Sequence, residues 1–226
     1  IPETVQEEDL YNRLDLRNLN IITIDGEDAK DFDDAVEIEK TNSGYKLGVH
    51  IADVTHYVRP DSTIDDEAIE RGTSVYLVDR TIPMLPERLC NFLCSLRPNE
   101  EKLSYSVIFD INEKAEVLKS RITRTVINSN RRFSYEEVQE IIEKGEGEYL
   151  EEINTLNMLA QKMREKRFQA GAIDFQQAQV HFRLDDAGKP LSVYFSESNE
   201  SHQLIEEFML LANRTVAEKI GRKAPD

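Results

Sequence analysis

Short runs in which apolar and polar residues alternate dominate the first half of the chain. Ile21-Ile22-Thr23-Ile24 opens the series, and Ala35-Val36-Glu37-Ile38-Glu39 follows with period two. After Thr41-Asn42-Ser43-Gly44 comes Tyr45-Lys46-Leu47-Gly48-Val49-His50-Ile51. Two alternating runs around an Asn-Ser-Gly turn predict a β-hairpin. Leu103 to Ile111 and Val117 to Ile127 predict a second, longer one. Gln179 to Arg183 and Leu191 to Phe195, joined through Asp185-Asp186-Ala187-Gly188, predict a third.

Helical spacing takes over elsewhere. Asp61-Ser62-Thr63 before two acidic residues predicts a helix start, with Gly72 as its stop. A Pro-punctuated stretch from Thr81 to Pro86 leads into a short helix that carries Cys90 and Cys94. Ser134 with Glu137 three residues on has the form of a capping box, for a helix reaching about Lys144. Longer helices are predicted from about Tyr149 to Gln169, and from about Glu200 to Arg222. Hairpins interspersed with helices predict an α+β domain, with a mainly antiparallel twisted sheet and flanking helices. The polar, acidic residues 1–20 are expected to be a lead-in to a domain running over 21–226.

Composition narrows the class. The chain has 226 residues, of which 39% are hydrophobic, too many for a disordered acidic tail. No apolar run approaches the ~18 residues of a membrane span, so no membrane partner is expected. Two cysteines make no disulfide framework and fit a reducing compartment, and Cys90 and Cys94 read as packing residues. With no signal peptide and no starting Met, the chain is expected to be cytoplasmic, or a piece of a longer protein. The formal charge of −16 disfavours nucleic-acid binding through bulk charge. Any polyanion would need locally clustered cations, or a grip supplied by other domains. Between Glu116 and Glu136 there is such a stretch: no acid, but Lys119, Arg121, Arg124, Arg131 and Arg132. It reads equally as a phosphate-tracking strip or as a hairpin with exposed basic residues.

The densest chemistry lies at Asp25-Gly26-Glu27-Asp28-Ala29-Lys30-Asp31-Phe32-Asp33-Asp34, six carboxylates in ten residues. Like charges this close raise one another's pKa and destabilise the fold unless a cation neutralises them. A hard divalent ion such as Mg²⁺, which accepts carboxylate, water and phosphate oxygens, suits such a cluster. A solvated acidic turn is the competing reading, and the residues alone leave both open. An EF-hand does not fit, because Lys30 stands where its Gly belongs and Val36 at its twelfth position.

The run from Thr23 to Val36 resembles the signature of the ribonuclease II/ribonuclease R (RNB) family. Agreement continues through His50-Ile51-Ala52-Asp53-Val54, Arg71-Gly72-Thr73-Ser74-Val75-Tyr76, Met84-Leu85-Pro86, Leu93-Cys94-Ser95-Leu96, Phe133-Ser134-Tyr135, Gly171-Ala172-Ile173-Asp174-Phe175 and Leu204 to Met209. The ribonuclease R branch is most similar. The resemblance implies processive 3′→5′ hydrolysis of RNA to nucleoside monophosphates with Mg²⁺, for which Mn²⁺ can substitute. It implies Asp25, Asp31 and Asp34 as metal ligands and Asp33 as an acid needed for cleavage rather than for binding. Tyr76 and Phe175 match an aromatic clamp on bases at the single-stranded 3′ end, where stacking tolerates any sequence. Tyr135 and Glu206 match positions that read the ribose, and Arg121 and Arg124 are candidate phosphate contacts.

The resemblance also implies that the family's catalytic domain continues past Asp226, into a segment with a Ser-Pro-Ile-Arg-Arg-Tyr-like motif, and is flanked by oligonucleotide-binding-fold domains. This piece alone is therefore expected to be weak or inactive. The alternatives from other classes are a non-catalytic RNA-binding or scaffold relative and a calcium-stabilised module without phosphodiesterase chemistry.

Overall fold

The computed structural model describes residues 2–78, 80–173, 179–185, 189–196 and 198–221. After a 3₁₀ turn at Glu7–Leu10, the chain forms β1 (Leu14–Asp15), β2 (Ile22–Asp25), β3 (Asp34–Thr41) and β4 (Gly44–Ala52). Two helices follow, α1 (Val54–Tyr57) and α2 (Thr63–Arg71), then a small hairpin of β5 (Val75–Tyr76) and β6 (Thr81–Ile82). A six-residue π-helix, Arg88–Leu93, leads to the long strands β7 (Glu101–Ile111) and β8 (Val117–Asn128), and then to β9 (Arg131–Ser134). The rest is α3 (Tyr135–Lys144), α4 (Leu150–Gln169), the hairpin β10 (Gln179–Leu184) and β11 (Pro190–Ser196), and α5 (Glu200–Gly221).

Seven strands form one sheet in the order β1-β8-β7-β4-β3-β2-β9. Its central pairs are antiparallel, as the alternation predicts; the β1–β8 and β2–β9 pairs at the edges are parallel. The α+β reading holds. Helices α3 to α5 cover one face, burying Ile22, Val36, Leu47, Val49, Phe109, Phe133, Leu156 and Phe208 in the main core. Part of the other face buries Ile21, Phe32, Ala35, Ala52 and Ile127 against Leu89, Leu93, Cys94 and Leu96.

The end of the segment expected as a lead-in, residues 1–20, joins the sheet. Leu14 and Asp15 pair with Thr125 and Val126, and Arg13 forms a 2.6 Å ion pair with Asp53 in which both side chains are almost wholly buried. Alternation over two residues is too short a signal to reveal such a strand. Strand β9 was equally hidden, because Arg131 and Arg132 mask its apolar face. The caps, in contrast, are as read: Ser62 and Ser134 accept from the N–H groups of Asp65 and Glu137, and Gly72 closes α2 in the left-handed region at φ +71°.

Candidate functional site

Strand β2 ends at Asp25 and β3 begins at Asp34, and the antiparallel register set by Ile22 opposite Val36 places both at one end of the sheet. The acidic residues between them form the connecting loop. Phe32 anchors this loop by burying its ring in the second core, between Asp31 and Asp33. Ser95 ties it further: its hydroxyl accepts from the Phe32 N–H and donates to the Lys30 carbonyl, both at 2.9 Å. The Leu96 N–H donates to the Phe32 carbonyl, and the Ala52 N–H to that of Asp33. Arg132 braces the other side. Its Nη2 donates to the carbonyls of Gly26 and Glu27 at 2.6 Å, and its guanidinium lies over the Phe32 ring.

The carboxylates feel one another. Burial pushes Asp34 up to about 7, helped by Asp25 and Asp33. Burial and then Asp31 and Asp25 raise Asp33 to about 6, although part of its surface faces solvent. Asp25 is also raised, chiefly by burial, against the 2.7 Å bond its Oδ1 accepts from the Gly26 N–H. The second oxygen of Asp34 is buried with no hydrogen-bond partner. A buried carboxylate oxygen without a donor costs several kcal/mol (~1–3, more when charged), so this arrangement favours a cation.

Ligand geometry is a separate matter. Among the described residues, no group of three or more His, Cys, Asp or Glu side chains is gathered closely enough to hold a metal ion. Asp25, Asp33 and Asp34 nonetheless form an electrostatically coupled set at this end of the sheet, with Asp31 adding to the field on Asp25 and Asp33. The donor chemistry fits Mg²⁺ or Mn²⁺, being all oxygen and anionic.

Tyr135 stands at this end of the sheet. Ser134, its neighbour, pairs with Asp25 across the parallel β2–β9 contact. Burial, then Asp25 and Asp34, push the Tyr135 phenol well above its ordinary value, which puts the ring within electrostatic reach of the acidic pair. Glu206 lies on α5, half exposed and 3.1 Å from Arg167. Tyr76 is 72% exposed on the β5–β6 hairpin, outside the main sheet. Phe175 lies outside the described residues.

The continuous basic strip does not form. Arg121 and Arg124 are three apart on β8, and alternation sends them to opposite faces. Arg121 lies opposite Ile108, whereas Arg124 covers the Tyr105 ring and donates to its hydroxyl at 2.8 Å. Arg131 pairs with Glu137 and Glu148, and Arg132 is spent on the acidic loop. Sequence reasoning passed over His202, stacked on Tyr135, and Glu207, a buried carboxylate held by Arg167 at 2.5 Å. A lone His and a Glu on an amphipathic helix carry no signal until the partner helices are in place.

Comparison with known proteins places this geometry. The RNB domain profile matches residues 13–226. Ribonuclease R of Thermotoga maritima is 45% identical over 96% of this chain and 32% of its own length. DIS3-like exonuclease 2 of Schizosaccharomyces pombe is 43% identical over 96% of this chain and 25% of its own. A structure of Mycoplasma genitalium RNase R in complex with ribose-methylated single-stranded RNA superposes with a TM-score of 0.92 at 28% identity, covering 97% of this chain and 35% of that one. The fold is also that of yeast Ssd1, described as a pseudonuclease, at 19% identity and a TM-score of 0.76. The chain thus spans about a quarter to a third of the curated relatives it matches.

Proposed function

The chain belongs to the RNB domain family, and on that premise we propose that it is the metal-binding part of a 3′→5′ exoribonuclease that hydrolyses single-stranded RNA to nucleoside 5′-monophosphates. One observation carries the reading: Asp25, Asp33 and Asp34 are held at one end of the sheet with raised pKa values, and the inner oxygen of Asp34 has no donor. A scaffold has no use for so costly an arrangement. A shared fold alone does not decide activity, since a pseudonuclease has it too.

Asp25, Asp31 and Asp34 would hold the Mg²⁺ or Mn²⁺. The chemistry such an ion supplies when bound is a polarised water and positive charge facing the scissile phosphate. Asp33, solvent-facing between Asp31 and Asp34, is assigned to cleavage rather than to RNA binding, positioning the attacking water or a second ion. Phe32 and Ser95 hold the loop still, and preorganisation of this kind lowers the cost of reaching the reactive geometry. Tyr135 and Glu206 are assigned to the ribose, and Tyr76 with Phe175 to stacking on terminal bases. Arg121 is kept as a phosphate contact; Arg124 serves only by giving up Tyr105. Segments beyond this chain, oligonucleotide-binding-fold domains among them, would supply the rest of the RNA grip, and the activity is placed in the longer, cytoplasmic protein, with this piece alone weak or inactive.

Asp33→Asn in the full-length enzyme is the test. Release of monophosphates from a 3′-labelled oligoribonucleotide should be abolished while RNA affinity survives. Retention of near-native cleavage would remove Asp33 from the chemistry, and loss of binding with cleavage would favour a scaffold role.

A further inference from the structure

The imidazole of His202 lies against the Tyr135 phenol with ring centroids 4.0 Å apart and planes inclined by 16°, a stacked pair. Both rings stand on fastened backbone. Tyr135 begins α3 directly after a reciprocal capping box, in which Ser134 and Glu137 bond each other's N–H groups. His202 sits in the first turn of α5, and the Asn199 side-chain oxygen gathers three contacts there: from the His202 N–H at 3.3 Å, the Ser201 hydroxyl at 2.6 Å and the His202 Nδ1 at 2.6 Å. Because the backbone N–H can only donate, that atom is the amide oxygen, and Nδ1 must carry the proton. The same turn is fastened to α3, since the Ser201 N–H donates to Gln139 Oε1 at 3.2 Å. The stack therefore joins the start of α5 to the residue that follows Ser134, which pairs with Asp25 across the β2–β9 contact.

We propose that His202 is a positioning residue: by stacking on Tyr135 it fixes where that ring stands at the acidic end of the sheet, and so sets the preference for ribose over deoxyribose. This rests on the assignment of Tyr135 to the ribose. Arg132 and Ser95 hold the loop side of the site; His202 holds the aromatic side, with no substrate contact of its own required.

The experiment pairs His202→Ala with His202→Phe, which keeps a flat ring in place, and uses Tyr135→Phe as the reference. In the full-length enzyme, kcat and KM are compared for an all-ribo oligonucleotide and one with 2′-deoxy nucleotides at its 3′ end. His202→Ala should lower the ribo-to-deoxy preference by about 3- to 10-fold, the range an aromatic pair accounts for, and His202→Phe should restore most of it. Equal impairment in both variants, or an unchanged preference in His202→Ala where Tyr135→Phe lowers it, overturns the proposal. The 226-residue chain supplies a readout without turnover: the Tyr135 ring resonances should move in His202→Ala and much less in His202→Phe. If Tyr135→Phe leaves the sugar preference intact, it is the ribose assignment that fails. The stack is then judged by these resonances, and unmoved signals in His202→Ala reject it.

Discussion

Asp34 and Asp53 lie at the ends of neighbouring strands, one opening β3 and the other one residue past β4, yet their surroundings are opposite. Asp53 is wholly buried and fully answered: Arg13 Nη2 at 2.6 Å, the Thr55 hydroxyl at 2.9 Å, and Arg124 at 3.8 Å. Asp34 is half-buried beside two other aspartates, with one oxygen sealed from solvent and unpartnered. A paired buried carboxylate closes a fold; an unpaired one among its own kind holds the fold open for a cation. Burial alone does not separate structure from function here. The partners do.

Breaking the Asp53 pair should give the largest effect on stability. Arg13→Ala removes the 2.6 Å partner of a wholly buried carboxylate and leaves it only Arg124, at 3.8 Å; breaking a buried pair in this way costs about 3–5 kcal/mol. Urea unfolding of the 226-residue chain measures it. A cost below 1 kcal/mol would mean that Arg124 swings in to replace Arg13, and the contrast with Asp34 would weaken.

Asp34→Asn should invert the pattern. Removing one charge from a mutually repelling set should leave the ligand-free chain as stable as before or more so. Cleavage by the full-length enzyme should fall by about 10²–10³-fold, on the scale of losing one preorganised electrostatic contact to the transition state. Destabilisation comparable to that of Arg13→Ala would show that Asp34 too is a structural anchor.

Addition of Mn²⁺ sharpens the same contrast. At 100 times its Kd a bound ion stabilises by about 2.7 kcal/mol, and thermal denaturation at pH 7.5 should show that gain in the wild type and little of it in Asp34→Asn. The pH dependence has a definite direction. Asp33 and Asp34 titrate at about 6 and about 7 in the folded chain against 3.8 as ordinary aspartates. The folded state therefore holds protons that the unfolded state has released, and their contribution is present below about pH 4 and lost as pH rises to about 7. Buried His50, lowered to about 3, acts in the other direction, while Glu37, raised to about 7, acts in the same one. The difference between wild type and Asp34→Asn isolates the cluster, and a flat difference between pH 4 and 7 would contradict its coupling.

How much of this was written in the chain depends on range. Ser62, Gly72, Ser134 and Glu137 act on residues three or four away, so the helix ends were legible. The alternation of β3, β4, β7 and β8 was legible because each strand carries its own period-two record. Six carboxylates between two strands announced the candidate site, and similarity of short motifs supplied an expected ligand set. What was hidden depends on contacts made across long stretches of chain. Arg13 meets Asp53, Phe32 reaches Ser95, and His202 finds Tyr135 only once the sheet and helices are assembled. The basic run from Lys119 to Arg132 left two readings open for a related reason: linear proximity ignores the pleat, which sends alternate residues to opposite faces.

The smallest effect tests whether the aromatic side of the site is as firmly set as the Asp53 side. Ser134 caps α3 and also pairs with Asp25, so its hydroxyl lies where helix, sheet and acidic residues meet. Ser134→Ala removes one half of the capping box and should cost about 1 kcal/mol, since caps of this kind are worth ~0.5–2 kcal/mol. The Glu137 carboxylate still accepts from the residue 134 N–H in the variant, so the helix start should fray rather than relocate. If β9 and the His202 stack suffice to hold Tyr135, Mn²⁺ affinity of the 226-residue chain should be unchanged within about threefold, a difference of ~0.7 kcal/mol. A larger loss would mean that the cap itself sets the distance between β9 and the aspartates, making the acidic end of the sheet more dependent on one hydroxyl than the Arg13–Asp53 end is on any single atom.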